Sequence, residues 1–176
     1  HQTKMMFNLI KECKIKYDQN ILIDIVLPSE KITYSKQKLI VIHLSEKWIN
    51  SFYSEDDFLD LISLLAKENY SIVLTTDSST KNKFKKIYEK YKTITKQNFK
   101  ELKSIHNYIF ILDNLDYDSW VKVIYSSNTV ITPECGCSHI AAACKVPVNI
   151  IYDAKNYPEA IHKEYSVLDI LHIDAH

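Results

Sequence analysis

The sequence predicts an α/β domain in which a parallel sheet is covered by helices on both faces. Two patterns carry this expectation. Short, continuous apolar runs alternate with segments of helical apolar spacing, and runs without polar alternation belong to strands buried on both faces. The only glycine of the chain, Gly136, lies between a β-branched apolar run, Thr129–Thr132, and a small-residue helix, Ser138–Cys144. A length of 176 residues suits one domain with a sizeable core, and 46% apolar with 25% charged residues is the balance of a soluble globular protein.

The elements follow in order. Met5, Met6, Leu9, Ile10 and Cys13 have the spacing of a helix already under way at the start, which fits either an artificial boundary of the sequence or the C-terminal half of a longer protein. A linker with the apolar run Ile21–Leu27 is stopped by Pro28. Leu39–Leu44 reads as a buried strand. Ser54 is an N-cap with Asp57 three residues on, a near capping box, and Phe58, Leu61, Ile62 and Leu65 form the apolar face that follows. Ser71–Thr76 is the next strand, and Ser79 or Thr80 opens a basic helix through Tyr91. Tyr108–Leu112 is a third strand. Asp116 caps a helix with Trp120, Val123 and Ile124 inside. Asn128–Thr132 is a fourth strand, Ser138–Cys144 a short helix and Val146–Tyr152 a fifth strand.

Ligands of such sheets bind at the carboxyl ends of the strands. Three segments lie there: His43-Leu44-Ser45, Thr75-Thr76-Asp77 and residues 132–139. In the last, the Glu134 carboxylate can accept two hydrogen bonds from sugar or ribose hydroxyls. Gly136 and the amides after it suit a diphosphate at a helix N-terminus, and His139 adds a donor in the first helical turn. The plain alternative is a structural turn with a capping histidine. After the first strand, Lys47 can neutralise a phosphate as a point charge and Ser45 adds a hydroxyl, although taken alone a solvated loop lysine is the simpler reading.

Other chemistries are disfavoured. The net charge is zero, which gives no electrostatic reason to expect a nucleic-acid partner. No apolar run is long enough to span a bilayer, and no signal peptide is visible. Cys13, Cys135, Cys137 and Cys144 do not space like a disulfide framework and read as reduced thiols of a cytoplasmic protein. Cys135-x-Cys137 with His139 is too tight for a zinc knuckle and no second pair completes a site, so no metal and no cofactor is expected. Asp116-Tyr117-Asp118 matches a D-x-D pattern but sits at a helix start, where capping explains it, and Asp113 reads as a loop acid. Neither G-x-x-x-x-G-K-[ST], G-x-G-x-x-G nor G-x-S-x-G occurs.

Two motifs taken together, V-I-H-L-S-E-K-W-I at 41–49 and V-I-T-P-E-C-G-C-S-H-I-A-A-A-C-K-V-P-V at 130–148, resemble the C-terminal domain of the ADP-heptose:lipopolysaccharide heptosyltransferase family. That family carries a strand, then a loop with Lys and often Trp, then D-T-G-x-x-H-[LI]-A-A-A and a K-x-P-V strand. The likeness runs from His1 to about Tyr152, and Gly136, His139 and Ala141–Ala143 keep the family's spacing. It implies a Rossmann-like fold, one half of a GT-B glycosyltransferase, with residues 1–36 as inter-domain helix and linker and 37–176 as the domain binding a nucleotide-diphosphate sugar. It implies Lys47 and Ser45 at the donor phosphates, Glu134, Cys135 and Gly136 at the sugar and diphosphate, and His139 matching the family's histidine. Asp77, at a strand end, is a further candidate donor contact.

The resemblance also implies an inverting transfer to a lipopolysaccharide or other cell-envelope glycan acceptor, on the cytoplasmic side and peripheral to the inner face of the membrane. Lys47 would stabilise the leaving group, and the general base would belong to an N-terminal domain outside this chain. Two departures stand out: Glu134 replaces Asp, lengthening the arm by a methylene, and Cys135 replaces Thr, losing a hydroxyl donor. The rival readings are a relative of nucleotide-sugar 2-epimerases and a non-catalytic nucleotide- or protein-binding module of the same fold.

Overall fold

The computed structural model describes residues 12–13, 27–32, 38–50, 54–68, 70–76, 80–94 and 109–151. The helix expected from Met5, most of the apolar run 21–27 and the candidate Asp77 lie outside these residues. Six strands form one sheet: β1 (Leu39–His43), β2 (Ser71–Thr76), β3 (Lys92–Ile94), β4 (Ile109–Asp113), β5 (Thr129–Pro133) and β6 (Val148–Ile151). Their spatial order is β3-β4-β2-β1-β5-β6, and every pairing is parallel. The helices are α1 (Glu46–Asn50), α2 (Glu55–Lys67), α3 (Lys85–Lys90), α4 (Tyr117–Ser126) and α5 (Gly136–Ala143). The expected Rossmann-like α/β fold is the one observed.

Strand alternation divides the core into two layers. Ile40, Ile42, Leu44, Ile72, Leu74 and Ile111 point to one face, where Trp48 of α1, Phe58 and Ile62 of α2 and Phe84 and Ile87 around α3 cover them. Leu39, Val41, Val73, Phe110, Leu112, Val130, Val148 and Ile150 point to the other, against Val121, Val123 and Ile124 of α4 and Cys137 and Ala141 of α5. Helices therefore cover both faces, which is why the strands read as unbroken apolar runs. Ile32, ahead of β1, also joins the second layer, and its N–H donates to Ser126 Oγ at 2.7 Å.

The caps hold α2 and α4 where the sequence places them. Ser54 and Asp57 form a full capping box on α2: Ser54 Oγ accepts from the Asp57 N–H at 3.3 Å, and Asp57 Oδ2 accepts from the Ser54 N–H at 2.6 Å. Asp116 Oδ1 accepts from the Ser119 N–H at 2.8 Å, so the D-x-D pattern is a helix start.

Three local expectations are corrected. The basic helix through Tyr91 is split into a 3-10 turn, Lys81–Lys83, and α3, because buried Phe84 leaves helical geometry between them with φ −122° and ψ 46°. β3 is a sixth strand invisible to the apolar pattern: of Lys92, Thr93 and Ile94 only Ile94 is buried, as suits a short edge strand. Residues 46–50, expected as a loop, form the one-turn helix α1, because Trp48 is only 1% exposed and must reach the core.

Candidate donor site at the carboxyl ends of β1 and β5

The chain leaves β1 toward β2 on one side and returns through β4 to β5 on the other. The neighbours β1 and β5 are thus followed by helices on opposite faces of the sheet, α1 and α5. Such a topological switch point opens a crevice at the carboxyl ends of the strands.

Lys47 and Glu134 meet in that crevice, although 87 residues separate them. Lys47 Nζ donates to Glu134 Oε2 at 2.9 Å and to the Glu134 backbone carbonyl. The pair is half open to solvent, with side-chain exposures of 48% and 31%. On the other side of the same carboxylate, His139 Nε2 lies 3.9 Å from Glu134 Oε1, with its side chain 70% exposed. One carboxylate thus stands between a lysine and a histidine, and all three can turn to a ligand.

Trp48 sets the position of Lys47. Its indole Nε1 donates to the His43 carbonyl at 2.6 Å, and its ring packs edge-on against Phe58 with centroids 4.5 Å apart. This anchor turns the preceding lysine outward on α1. Ser45 starts that turn: its carbonyl accepts from the Trp48 N–H at 3.0 Å and its Oγ from the Lys47 N–H at 3.3 Å.

The glycine corner differs from its sequence reading. α5 begins at Gly136, two residues before the expected Ser138, with Cys135 in the N-cap position. Gly136 does not adopt positive φ, and a Cβ there would meet nothing within 4 Å. The glycine is therefore not required by a tight turn or by a protein neighbour. It instead leaves open space over the first amides of the helix, where the dipole favours an anion.

Cys135 makes no side-chain cap bond. Its Sγ lies 3.3 Å from Thr132 Oγ1, while its carbonyl accepts from Ser138 Oγ at 2.7 Å. Burial pushes the Cys137 thiol far above its usual range, with Cys135 beside it adding to the shift. Cys137 is thus a neutral core residue. All of Cys13, Cys135, Cys137 and Cys144 are free thiols. Among the described residues, no three of His, Cys, Asp and Glu are grouped to hold a metal ion.

His43, the last residue of β1, lies at the same edge. Its Nδ1 lies 3.1 Å from Thr75 Oγ1, and its ring is 5.4 Å from that of Trp120. The signal available was its position as the last residue of a strand ending at the switch point. Asp113 ends β4 with its Oδ1 buried and without a hydrogen-bond partner among the described residues.

Residues 10–162 match the family model described as glycosyltransferase family 9 (heptosyltransferase). The chain belongs to glycosyltransferase family 9. Among solved structures, this family 9 chain is similar to the ADP-heptose LPS heptosyltransferase II of Escherichia coli, with 19% identity and a TM-score of 0.52 over 67% of this chain and 33% of that one. It is also similar to a UDP-N-acetylglucosamine 2-epimerase assigned as such in Listeria monocytogenes, with 15% identity and a TM-score of 0.49 over 84% of this chain and 40% of that one. The UDP-GlcNAc 2-epimerase of Methanocaldococcus jannaschii gives 15% identity and a TM-score of 0.48 over 79% and 39%. The family 9 chain thus spans well under half the length of these proteins. No curated protein sequence matches it. The family match and the first of these structures give a GT-B-type fold. No helix of the described residues is long and apolar enough to cross a membrane.

Proposed function

We infer that this glycosyltransferase domain binds a nucleotide-diphosphate sugar, of the ADP-heptose type, in the crevice between β1 and β5. The observation that carries the reading is the meeting of Lys47 and Glu134 beside the open N-terminus of α5. A cation, a helix N-terminus and a hydroxyl-binding carboxylate are the groups that a diphosphate joined to a sugar requires.

On binding, the diphosphate replaces Glu134 as the partner of the Lys47 ammonium. Glu134 then turns to the sugar hydroxyls, and the Gly136 and Cys137 amides face the phosphate oxygens. Ser45 adds a hydroxyl at the phosphates, Cys135 lies along the sugar and His139 donates from the solvent side. Asp77, which follows β2 in the sequence, is assigned to the same donor.

Transfer is an inverting displacement at the anomeric carbon. The acceptor hydroxyl of a lipopolysaccharide or other cell-envelope glycan attacks, and the bond to the diphosphate breaks. Negative charge gathers on the leaving diphosphate, where Lys47 and the helix amides oppose it. The base that takes the acceptor proton is assigned to an N-terminal domain, joined to this one through residues 1–36. The setting is the cytoplasmic face of the envelope membrane.

Calorimetry with ADP, GDP, UDP and their sugars tests this. Binding of at least one, weakened about 10- to 100-fold by Lys47→Ala, is the expected result, since a hydrogen bond to a charged group contributes about 1.5–3 kcal/mol. Absence of binding by all of them refutes the reading.

A further inference from the structure

The chain is neutral as a whole, yet its charge is unevenly spread. Between Lys81 and Lys92 stand six lysines, at 81, 83, 85, 86, 90 and 92, against the single acid Glu89. That stretch carries an excess of five positive charges, so the rest of the chain carries an excess of five negative ones. All six lysines are exposed, on the 3-10 turn Lys81–Lys83, on α3 and at the start of β3. Phe84, Ile87 and Ile94 between them are buried, so the apolar residues of the stretch serve the core and the lysines do not. Acids of α2 border the face: Asp56 pairs with Lys86 at 2.6 Å, and Glu55 Oε1 accepts from the Ile87 N–H at 2.8 Å. With Glu89, Asp56 and Glu55 all counted, the face keeps an excess of three positive charges.

We propose that this basic face, through Lys81, Lys83, Lys85 and Lys90, docks the domain on an anionic lipid surface. The proposal rests on the membrane setting given under the proposed function and names the surface that meets the bilayer. Three observations support it.

The first is the kind of cation. All 22 basic residues of the chain are lysines and none is arginine. Lysine is a point charge without the planar fork that reads phosphates and bases in nucleic acid. A layer of anionic headgroups needs only point charges held near it. The second is the tyrosines. Tyr88 and Tyr91 are half-buried among the lysines, with Lys81 Nζ 5.2 Å from the Tyr88 ring centre and Lys90 Nζ 5.4 Å from that of Tyr91. A ring with one polar end beside ammonium groups suits the headgroup level of a bilayer.

The third is position. Buried Thr80 shares a hydroxyl hydrogen bond with Thr76 at the carboxyl end of β2, and Lys81 follows it directly. β2 pairs with β1, so the basic turn leaves the same edge of the sheet as Lys47. Docking there holds the β1–β5 crevice beside the lipid surface, where a membrane-borne acceptor presents its glycan.

The test is co-sedimentation, without nucleotide, with vesicles of phosphatidylcholine alone and of phosphatidylcholine and phosphatidylglycerol in equal parts. Wild type should bind the mixed vesicles and not the neutral ones. Release should follow when salt rises from about 0.1 M to about 1 M, which shortens the screening length from about 10 Å to about 3 Å. Each lysine near such a surface contributes roughly a fivefold factor, so Lys83→Gln with Lys85→Gln should weaken binding about tenfold or more. The pair Lys122→Gln with Lys145→Gln removes as much charge from the opposite layer and should leave binding unchanged. Equal losses in the two pairs refute the assignment to this face. No binding of wild type to the mixed vesicles refutes the docking. So does a DNA duplex that binds more tightly than those vesicles at the same salt. Calorimetry with nucleotides, run without vesicles, should give the same affinity for wild type and Lys83→Gln with Lys85→Gln. Nucleotide binding without vesicle binding therefore refutes the docking and leaves the donor site standing, whereas lysine-dependent vesicle binding without nucleotide binding upholds the docking and overturns the donor site.

Discussion

Replacing Glu134 by alanine separates the two halves of the donor. Glu134 holds Lys47 through a half-exposed ion pair of 2.9 Å. Such pairs contribute about 0.2–1 kcal/mol. A diphosphate must break this pair to reach the ammonium, so removing Glu134 lowers the cost of binding by at most about that much. For a nucleoside diphosphate without sugar, affinity should therefore stay the same or rise by up to about fivefold. The sugar nucleotide has more to lose. Two hydroxyl hydrogen bonds to a carboxylate contribute about 1.5–3 kcal/mol each. Even one of them outweighs the gain, and affinity should fall about tenfold or more. Calorimetry of Glu134→Ala with the diphosphate and its sugar conjugate reads both numbers, and thermal unfolding should show little change in stability. An equal change for both ligands would show that Glu134 does not touch the sugar.

Further outcomes follow from the same geometry. Trp48→Ala removes a core indole and its bond to the His43 carbonyl, and should cost about 3–5 kcal/mol in denaturant unfolding; a cost under about 1 kcal/mol would contradict its anchoring role. The Asp57 carboxyl titrates below its usual range because the Ser54 N–H and hydroxyl bond to it. Its contribution is complete above the unfolded carboxylate pKa, about 3.9, and is lost as pH falls through the lower folded value. The Asp57→Asn variant should lack that part of the acid dependence, and an unchanged acid limb would argue against the capping box. Exposed Cys13 should react with a thiol reagent in the folded protein, whereas Cys137, buried and with its thiol pushed up, should react only on unfolding.

Sheet strands and caps were legible because their signals are local. Ser71–Thr76 needs only its own apolar run, and Ser54 and Asp57 declare a capping box within four residues. β3 was not, because an edge strand with one buried side chain carries no pattern. α1 was hidden for a different reason: Trp48 makes it a helix through contacts with His43 and Phe58 that lie elsewhere in the chain. Candidate site residues 134–139 and Lys47 were individually visible. Their convergence was not, since it follows from the strand order, which brings β5 back beside β1. Gly136 illustrates the reverse case. Its isolation in the sequence pointed to the right corner, yet the reason is the open helix start and not a strained turn.

Because Gly136 is the only glycine of 176 residues, selective glycine 15N labelling places one amide signal at the mouth of the proposed site. Titrating that protein with ADP, GDP and UDP measures the central claim at the atom where it is made. Occupation of the α5 N-terminus by a diphosphate predicts a saturable shift of the Gly136 signal, reduced in affinity by Lys47→Ala. A nucleotide that binds by calorimetry while the Gly136 signal stays still would contradict the account.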